Sequence, residues 1–410
     1  MSKFLSLSNF FSLLVVCVLL GACSGGSSSD EVRAPVVVTP PPAETESPPE
    51  EVDTPPENAD PSAGELLPLT GFTGNHTRLI GRFDLNQPDQ ARFTWAGSAM
   101  EFRFEGTRAN LRISSNRRVR FEVDVNGQKQ DLWVDGGNEV YTLAEGLSQD
   151  THTIRVTRLI EPFEMVTAFT SDPQVDGHLL PPPAAPDRRL LVIGDSITAG
   201  YGVEGENQDC AYTQDTSNQQ LTYAALAANA LGADLHSIAW SGIGVWRGYG
   251  EESPVSPTIR DRYLRTLADM PGSAWDTSLY QPDAVLINIG TNDYWSYGNA
   301  TSGEREAIDS SYREALLDLI HRVQDDYPQK PVYLIASPML GQAQRVVLNG
   351  LQTDQVSFLD LGGIGPGDWG CHYHPNLIAH TRMGEALRSR LSVDMGWQLG
   401  FFYVQKKYHW

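Results

Sequence analysis

Two kinds of hydrophobic pattern divide the chain. Between residues 67 and 180 apolar and polar residues alternate: Met100-Glu101-Phe102-Arg103-Phe104, then Val119 to Val125 running into the turn Asn126-Gly127, then Thr151 to Leu159. Alternation with a period of two puts successive side chains on opposite faces of a strand. Short runs of this kind between turn residues predict an antiparallel sandwich. Pro181-Pro182-Pro183 punctuates a boundary. From Arg188 the apolar residues come in unbroken runs instead: Leu190–Ile193, Ala284–Ile289, Val332–Ala336, Val356–Leu361 and a weaker one at Leu235–Ala239. Such runs suit a parallel sheet buried on both faces. Helical spacing lies between them. Ser302 is placed to cap a helix whose apolar stripe holds Tyr312, Leu316, Leu319, Ile320 and Val323, and a second helix starts near Leu377 with Met383, Leu387 and Leu391 on one side. Strands alternating with helices predict an α/β, doubly wound parallel sheet, which binds ligands beyond the carboxyl ends of its strands.

The first 65 residues follow neither pattern. Lys3 precedes an apolar run from Phe10 to Leu20, too short to span a bilayer, which reads as the core of a signal peptide. It ends in Leu20-Gly21-Ala22-Cys23, which resembles the bacterial lipobox. That resemblance implies lipidation of Cys23, and Ser24 after it is compatible with the outer membrane. Nine prolines follow between Pro35 and Pro61. Such a stretch cannot bury enough apolar surface to order itself, and its self-repelling carboxylates make an extended tether. The expected division is a signal peptide at 1–22, a tether at 23–66, a sandwich at 67–180, an α/β domain at 185–395 and a tail at 396–410.

Charge sharpens this division. The chain of 410 residues carries 51 acidic and 30 basic side chains, a net −21. The segment Asp30–Glu65 holds 10 acids and 1 base, so −9 belongs to the tether and −13 to residues 66–410. An acidic body without clustered Lys and Arg excludes general nucleic-acid binding.

Three of the continuous strands end in unusual residues. The first runs into Gly194-Asp195-Ser196-Ile197, the second into Ser241-Gly242-Ile243-Gly244 and the third into Gly290-Thr291-Asn292-Asp293. A Ser on a strand-to-helix turn is exposed and near backbone N–H groups, where a nucleophile belongs. A Gly lets the backbone approach a ligand, and an Asn amide can donate to an oxyanion. Near the end stands Asp368-Trp369-Gly370-Cys371-His372-Tyr373-His374-Pro375-Asn376, with a His able to take the Ser proton and return it to a leaving alcohol.

These blocks, in this order, resemble the SGNH or GDSL-type hydrolases, and the match spans residues 188–392. Gly97 to Gly106, and Leu147 through His152 to Arg158, resemble the N-terminal domain of carbohydrate esterase family 2, as do Gly194–Gly202 and Gly370–His380. The resemblance implies a flavodoxin-like hydrolase domain behind a jelly-roll sandwich. It makes Ser196 the nucleophile and His374 the base. The N–H groups of Ser196 and Gly242 and the side-chain amide of Asn292 form the oxyanion hole. It implies removal of acetyl groups from plant polysaccharides such as xylan or mannan, with no metal and no organic cofactor. The other readings are a lipid or thioester hydrolase of the wider SGNH set, and a non-catalytic carbohydrate-binding lipoprotein.

The family pattern puts an Asp three residues before the His, and here that position is Cys371. A Ser–His dyad oriented by a backbone carbonyl is the preferred reading; Asp368 or a distant acid are the alternatives. His372-x-His374 with Asp368 has a spacing that a metal could use, but His374 is already committed. Cys210 and Cys371 lie in loops that converge on the site, and an exported protein sits in an oxidising space, so a Cys210–Cys371 disulfide is expected. Trp295, Asp195 and Trp369 are candidates for substrate binding. The expected partner is an acetylated polysaccharide or oligosaccharide, with membrane contact only through the N-terminal lipid; nothing requires more than a monomer.

Overall fold

The computed structural model describes residues 65–397, Glu164 excepted. The expected signal peptide, Cys23 with its lipid and the tether up to residue 64 lie outside the described residues, as does the tail from 398 on.

The alternating segment forms two antiparallel sheets. One runs Thr77–Ile80, Ala99–Gly106, Asp150–Arg158, Val119–Val125, Gln128–Val134, with His178–Leu180 also on Ala99–Gly106. The other runs Gln174–Val175, Ala109–Ser115, Thr167–Phe169, Ala91–Phe93, with Gly137–Ala144 on Ala109–Ser115. Phe102, Phe104 and Phe121 of the first sheet face Phe93 and Phe169 of the second in one apolar core. Phe93 packs on Phe169 at 4.7 Å between ring centroids. Glu101 and Arg103, one step out of phase, point the other way and are partly exposed, as the pleat requires.

The continuous runs form a five-stranded parallel sheet in the order Ala233–Ala239, Arg188–Gly194, Ala284–Asn288, Val332–Ile335, Val356–Leu359. Counted along the chain this is 2-1-3-4-5, the flavodoxin-like order. Each strand feeds both faces. Leu190, Val192 and Leu286 pack under the helices Tyr223–Leu231 and Leu377–Asp394. Leu191, Ile193, Val285 and Ile287 pack under Ser302–Asp326. The cap of that last helix is Thr301 rather than Ser302: Thr301 and Glu304 make a reciprocal capping box, one residue earlier than expected.

Buried polar bonds join the sandwich to the parallel sheet. Arg82 donates to the carbonyls of Tyr263 and Arg265, Gly81 N–H to His236 Nε2 at 2.9 Å, and Arg120 pairs with Glu204 at 2.5 Å. Arg82 and His236 are nearly inaccessible to water, where breaking such bonds costs most.

Candidate active site

The register of the parallel sheet sets Gly194 opposite both Ala239 and Asn288. The residues that leave these three strands therefore emerge side by side at the carboxyl edge, where the order of connections reverses. Trp240 N–H donates to Gly194 O at 3.3 Å and holds two of these exits together.

The first exit turns into the short helix Ser196–Ala199, capped by Asp195 Oδ1 on Ile197 N–H at 3.1 Å and closed by Gly200 in the left-handed conformation. Ser196 opens this helix, so its backbone N–H has no intrahelical acceptor. The second exit contains Gly242 with φ of +76°. A Cβ there would meet nothing within 4 Å, so the backbone angle and not space demands glycine. The third exit carries Asn292, whose Nδ2 donates to Ile243 O at 2.7 Å. Its second amide hydrogen remains available to the site.

His374 arrives from the far end of the chain. Its loop makes a single turn over Cys371–Tyr373, in which His372 and Tyr373 hold φ of +51° and +57°. Two consecutive side-chain-bearing residues in this region are strained. The result is that the His372 carbonyl faces the ring of His374, two residues on. His374 Nδ1 lies 3.0 Å from His372 O, and Nε2 lies 2.8 Å from Ser196 Oγ. A carbonyl only accepts, so Nδ1 must carry the hydrogen and Nε2 the lone pair that receives the Ser hydroxyl proton. Burial pushes the His374 ring down to about 4, which keeps it a neutral base at pH 7. Tyr201 packs on its ring at 4.3 Å between centroids. Ser196 is 4% exposed.

A disulfide joins Cys210 to Cys371, with Cα atoms 4.7 Å apart. It ties the loop after the Ser196 helix to the His374 loop. Gly205 runs over it so closely that a Cβ would stand 2.5 Å from the Cys371 sulfur.

One alternative and one candidate from the sequence are corrected. Asp368 does not reach His374. Both its oxygens bond Arg382, at 3.1 and 3.0 Å, and one also accepts Gly365 N–H at 2.7 Å. Asp195 cannot bind substrate, because it is fully buried, with its Oδ1 capping Ile197 N–H; burial pushes its carboxyl up to about 7. Trp295 stands half-buried, its Nε1 donating to Glu251 O at 3.0 Å, and Trp369 meets Tyr373 edge-on at 5.7 Å. Neither bonds the Ser–His pair. His372, Asp368 and His374 turn to separate partners, His372 Nδ1 bonding Tyr201 Oη at 2.8 Å.

Two buried carboxyls escaped the sequence reading. Asp293, beside Asn292, accepts the N–H groups of Val245, Trp246 and Arg247 at 3.0, 2.7 and 3.1 Å, which shapes the loop after Gly242. The Asp in Gly290-Thr291-Asn292-Asp293 was the available signal. Glu161, from the sandwich, accepts both the N–H and the hydroxyl of Ser241 at 2.6 and 2.5 Å. Nothing in the spacing links it to a residue 80 positions away.

Fold and site together define an α/β serine ester hydrolase carrying an antiparallel sandwich at its N-terminal side. Residues 79–183 match the family described as carbohydrate esterase 2 N-terminal, and residues 192–378 match the GDSL-like lipase/acylhydrolase family. The chain belongs to carbohydrate esterase family 2. It is 30% identical over 330 residues to the cellulase/esterase CelE of Acetivibrio thermocellus, a match spanning 77% of this chain but only 39% of that protein. It is 26% identical to an acetylxylan esterase / glucomannan deacetylase of Cellvibrio japonicus, across 78% of this chain and 90% of the relative. A family two carbohydrate esterase from Clostridium thermocellum, solved in complex with cellohexaose, superposes with a TM-score of 0.71 at 29% identity over 78% of this chain and 100% of that one. A family 2 enzyme from Corynascus thermopiles (Myceliophthora fergusii), solved with a carbohydrate binding domain, gives 0.68 at 30% identity over 78% and 100%.

Proposed function

We propose that this protein removes O-acetyl groups from plant cell-wall polysaccharides, acetylated xylan or mannan, through an acetyl-serine intermediate on Ser196. The observation that carries it is the 2.8 Å contact between Ser196 Oγ and His374 Nε2, with Nδ1 held by the His372 carbonyl. Ser196 Oγ attacks the acetyl carbonyl as Nε2 takes its proton. The carbonyl oxygen becomes an oxyanion that faces the N–H groups of Ser196 and Gly242 and the amide of Asn292; each such donor is worth about 10²–10³ in rate. The intermediate collapses, and Nε2 returns the proton to the departing sugar hydroxyl. Water, losing a proton to the same nitrogen, then attacks the acetyl-serine; collapse frees acetate and Ser196 regains its proton. A carbonyl in place of a carboxylate can fix the tautomer and the ring, but stabilises the transient imidazolium less.

The relatives described as acetylxylan esterase / glucomannan deacetylase support this choice of substrate. We further propose that Cys23 is lipidated and that the tether holds the enzyme away from an outer membrane. The test is acetate release from a panel of acetylated xylan, mannan and cello-oligosaccharides, beside short-chain and long-chain lipid esters. Release from the acetylated glycans, lost in Ser196→Ala, is the expected outcome. Activity confined to lipid acyl chains, or binding without turnover, would overturn the proposal.

A further inference from the structure

We infer that Glu161 is a positioning residue through which the sandwich domain sets the oxyanion-binding geometry of the parallel-sheet domain. The inference rests on the reading of the Gly242 N–H as an oxyanion donor.

Arg158, at the end of the strand Asp150–Arg158, is fully buried and folds the following loop around its guanidinium. Its nitrogens donate to the carbonyls of Ile160 at 2.9 Å, Glu161 at 2.9 Å and Met165 at 3.0 Å, and to Thr167 Oγ1 at 2.8 Å. Gln219 N–H, from the other domain, takes the Leu159 carbonyl at 2.9 Å. This holds the backbone of Glu161, whose side chain reaches Ser241. There the carboxyl, 0% exposed, accepts the Ser241 N–H and meets the Ser241 hydroxyl. Phe163, two residues on, meets Trp240 nearly perpendicular, with ring centroids 6.0 Å apart.

Ser241 immediately precedes Gly242. The peptide that joins them carries the Gly242 N–H, and its orientation is the dihedral freedom of two residues. Glu161 removes that freedom on the Ser241 side. Tyr249 N–H, donating to Gly242 O at 2.9 Å, removes it on the other. Gly242 has positive φ and no Cβ, so without such ties its backbone is free to turn. A donor displaced by about 1 Å from a developing charge can cost on the order of 10² in rate.

Two chemical features fit this role. Burial, with Asp195 nearby, pushes the Glu161 carboxyl up to about 7, so it does not impose a full negative charge beside the oxyanion at neutral pH. The hydroxyl of Ser241 can donate to a carboxylate or accept from a carboxylic acid, so the tie persists in either protonation state.

The test compares Glu161→Ala, Glu161→Gln, Ser241→Ala and Ser196→Ala in the otherwise intact chain. Steady-state kinetics on 4-nitrophenyl acetate and acetylated xylo-oligosaccharide are read with the thermal midpoint of each variant. Glu161→Ala is expected to lower kcat about 10²-fold while KM moves less than about 3-fold. Glu161→Gln, whose amide accepts the Ser241 N–H and donates to its hydroxyl, is expected to restore kcat to within about 5-fold of wild type. Ser241→Ala, which loses one of the two bonds, falls between them, and it decides the matter if Glu161→Ala does not fold. A folded Glu161→Ala or Ser241→Ala with wild-type kcat, or a Gln variant as slow as the Ala variant, overturns the inference while Ser196→Ala stays inert. Turnover by Ser196→Ala overturns the active-site reading and this inference with it.

Discussion

Arg382 holds both carboxylate oxygens of Asp368, 14 residues before it in the chain, at 3.1 and 3.0 Å. The Arg382 hydrogen bond lowers the Asp368 carboxyl from its ordinary value. Asp368 therefore staples Gly365 to the helix Leu377–Asp394, and the carboxylate nearest in sequence to His374 has no part in its proton transfer. Asp368→Asn is expected to keep kcat within a few-fold of wild type and to lower the thermal midpoint by a few degrees, since the Arg382 side is exposed and such pairs give about 1 kcal/mol or less. His374→Ala is expected to lose on the order of 10³-fold or more in kcat. Kinetics and calorimetry on the two variants check both statements.

The acid side of the pH profile follows from His374. Its ring must be neutral to accept the Ser196 proton. Burial lowers it to about 4 from an ordinary value near 6.5. The base is thus unprotonated across pH 5–8, and kcat/KM is expected to fall only as pH drops through about 4. Glu161 and Asp195 titrate near 7 but touch neither reacting atom, so no comparable loss is expected there. The same shift acts on stability with a definite sign. Between pH 6.5 and 4 the unfolded chain takes up a proton at this position that the folded chain refuses, so this site's contribution to stability falls as pH falls through that window. A profile of kcat/KM from pH 3 to 8, corrected for enzyme stability, checks the limb; an inflection near 6.5 would contradict it.

The Cys210–Cys371 bridge spans 161 residues. Closing a loop of that size restricts the unfolded chain by about 5 kcal/mol on the chain-entropy argument. It also fixes the His374 loop, because Cys371 N–H donates to Gly202 O and His372 N–H to Cys210 O, each at 3.2 Å. Reduction, or Cys210→Ser, is expected to lower the thermal midpoint clearly and to reduce kcat as the strained turn at His372 relaxes. Thiol titration of denatured, unreduced protein checks that neither sulfur is free.

Asp293 is the counterpart of Glu161 on the far side of the Gly242 loop. Its buried carboxyl satisfies three N–H groups, and Arg247 returns two bonds to its carbonyl at 3.0 and 2.9 Å. Removing the acceptor strands buried donors at a cost of about 1–3 kcal/mol each. Asp293→Ala is expected to lose several degrees of thermal stability and at least about 10² in kcat, since it also frees the loop that Asn292 contacts. Unchanged kinetics in a folded variant would show that the loop is held by other means.

Much of this was legible from residue order. Period-two runs and continuous runs separate because a half-buried strand and a fully buried strand expose different faces, and Phe102 and Leu191 fall where that rule puts them. The residues at the strand exits were legible because a parallel sheet brings its carboxyl ends together whatever the lengths between them. What was not legible depends on side-chain direction. Asp368 and Asp195 sit within a few residues of the site, yet one turns to Arg382 and the other inward to Ile197. Glu161 belongs to a different domain and reaches Ser241 only because Arg158 curls its loop. The cap at Thr301 was missed by one residue, since adjacent Thr and Ser are chemically equivalent there and only the backbone angles choose.

The most direct measurement places acetate release from acetylated xylan by wild type, Ser196→Ala and Asp368→Asn side by side. A Ser196–His374 dyad oriented by the His372 carbonyl predicts near-wild-type release from Asp368→Asn and none detectable from Ser196→Ala. Equal losses in the two variants would contradict the dyad.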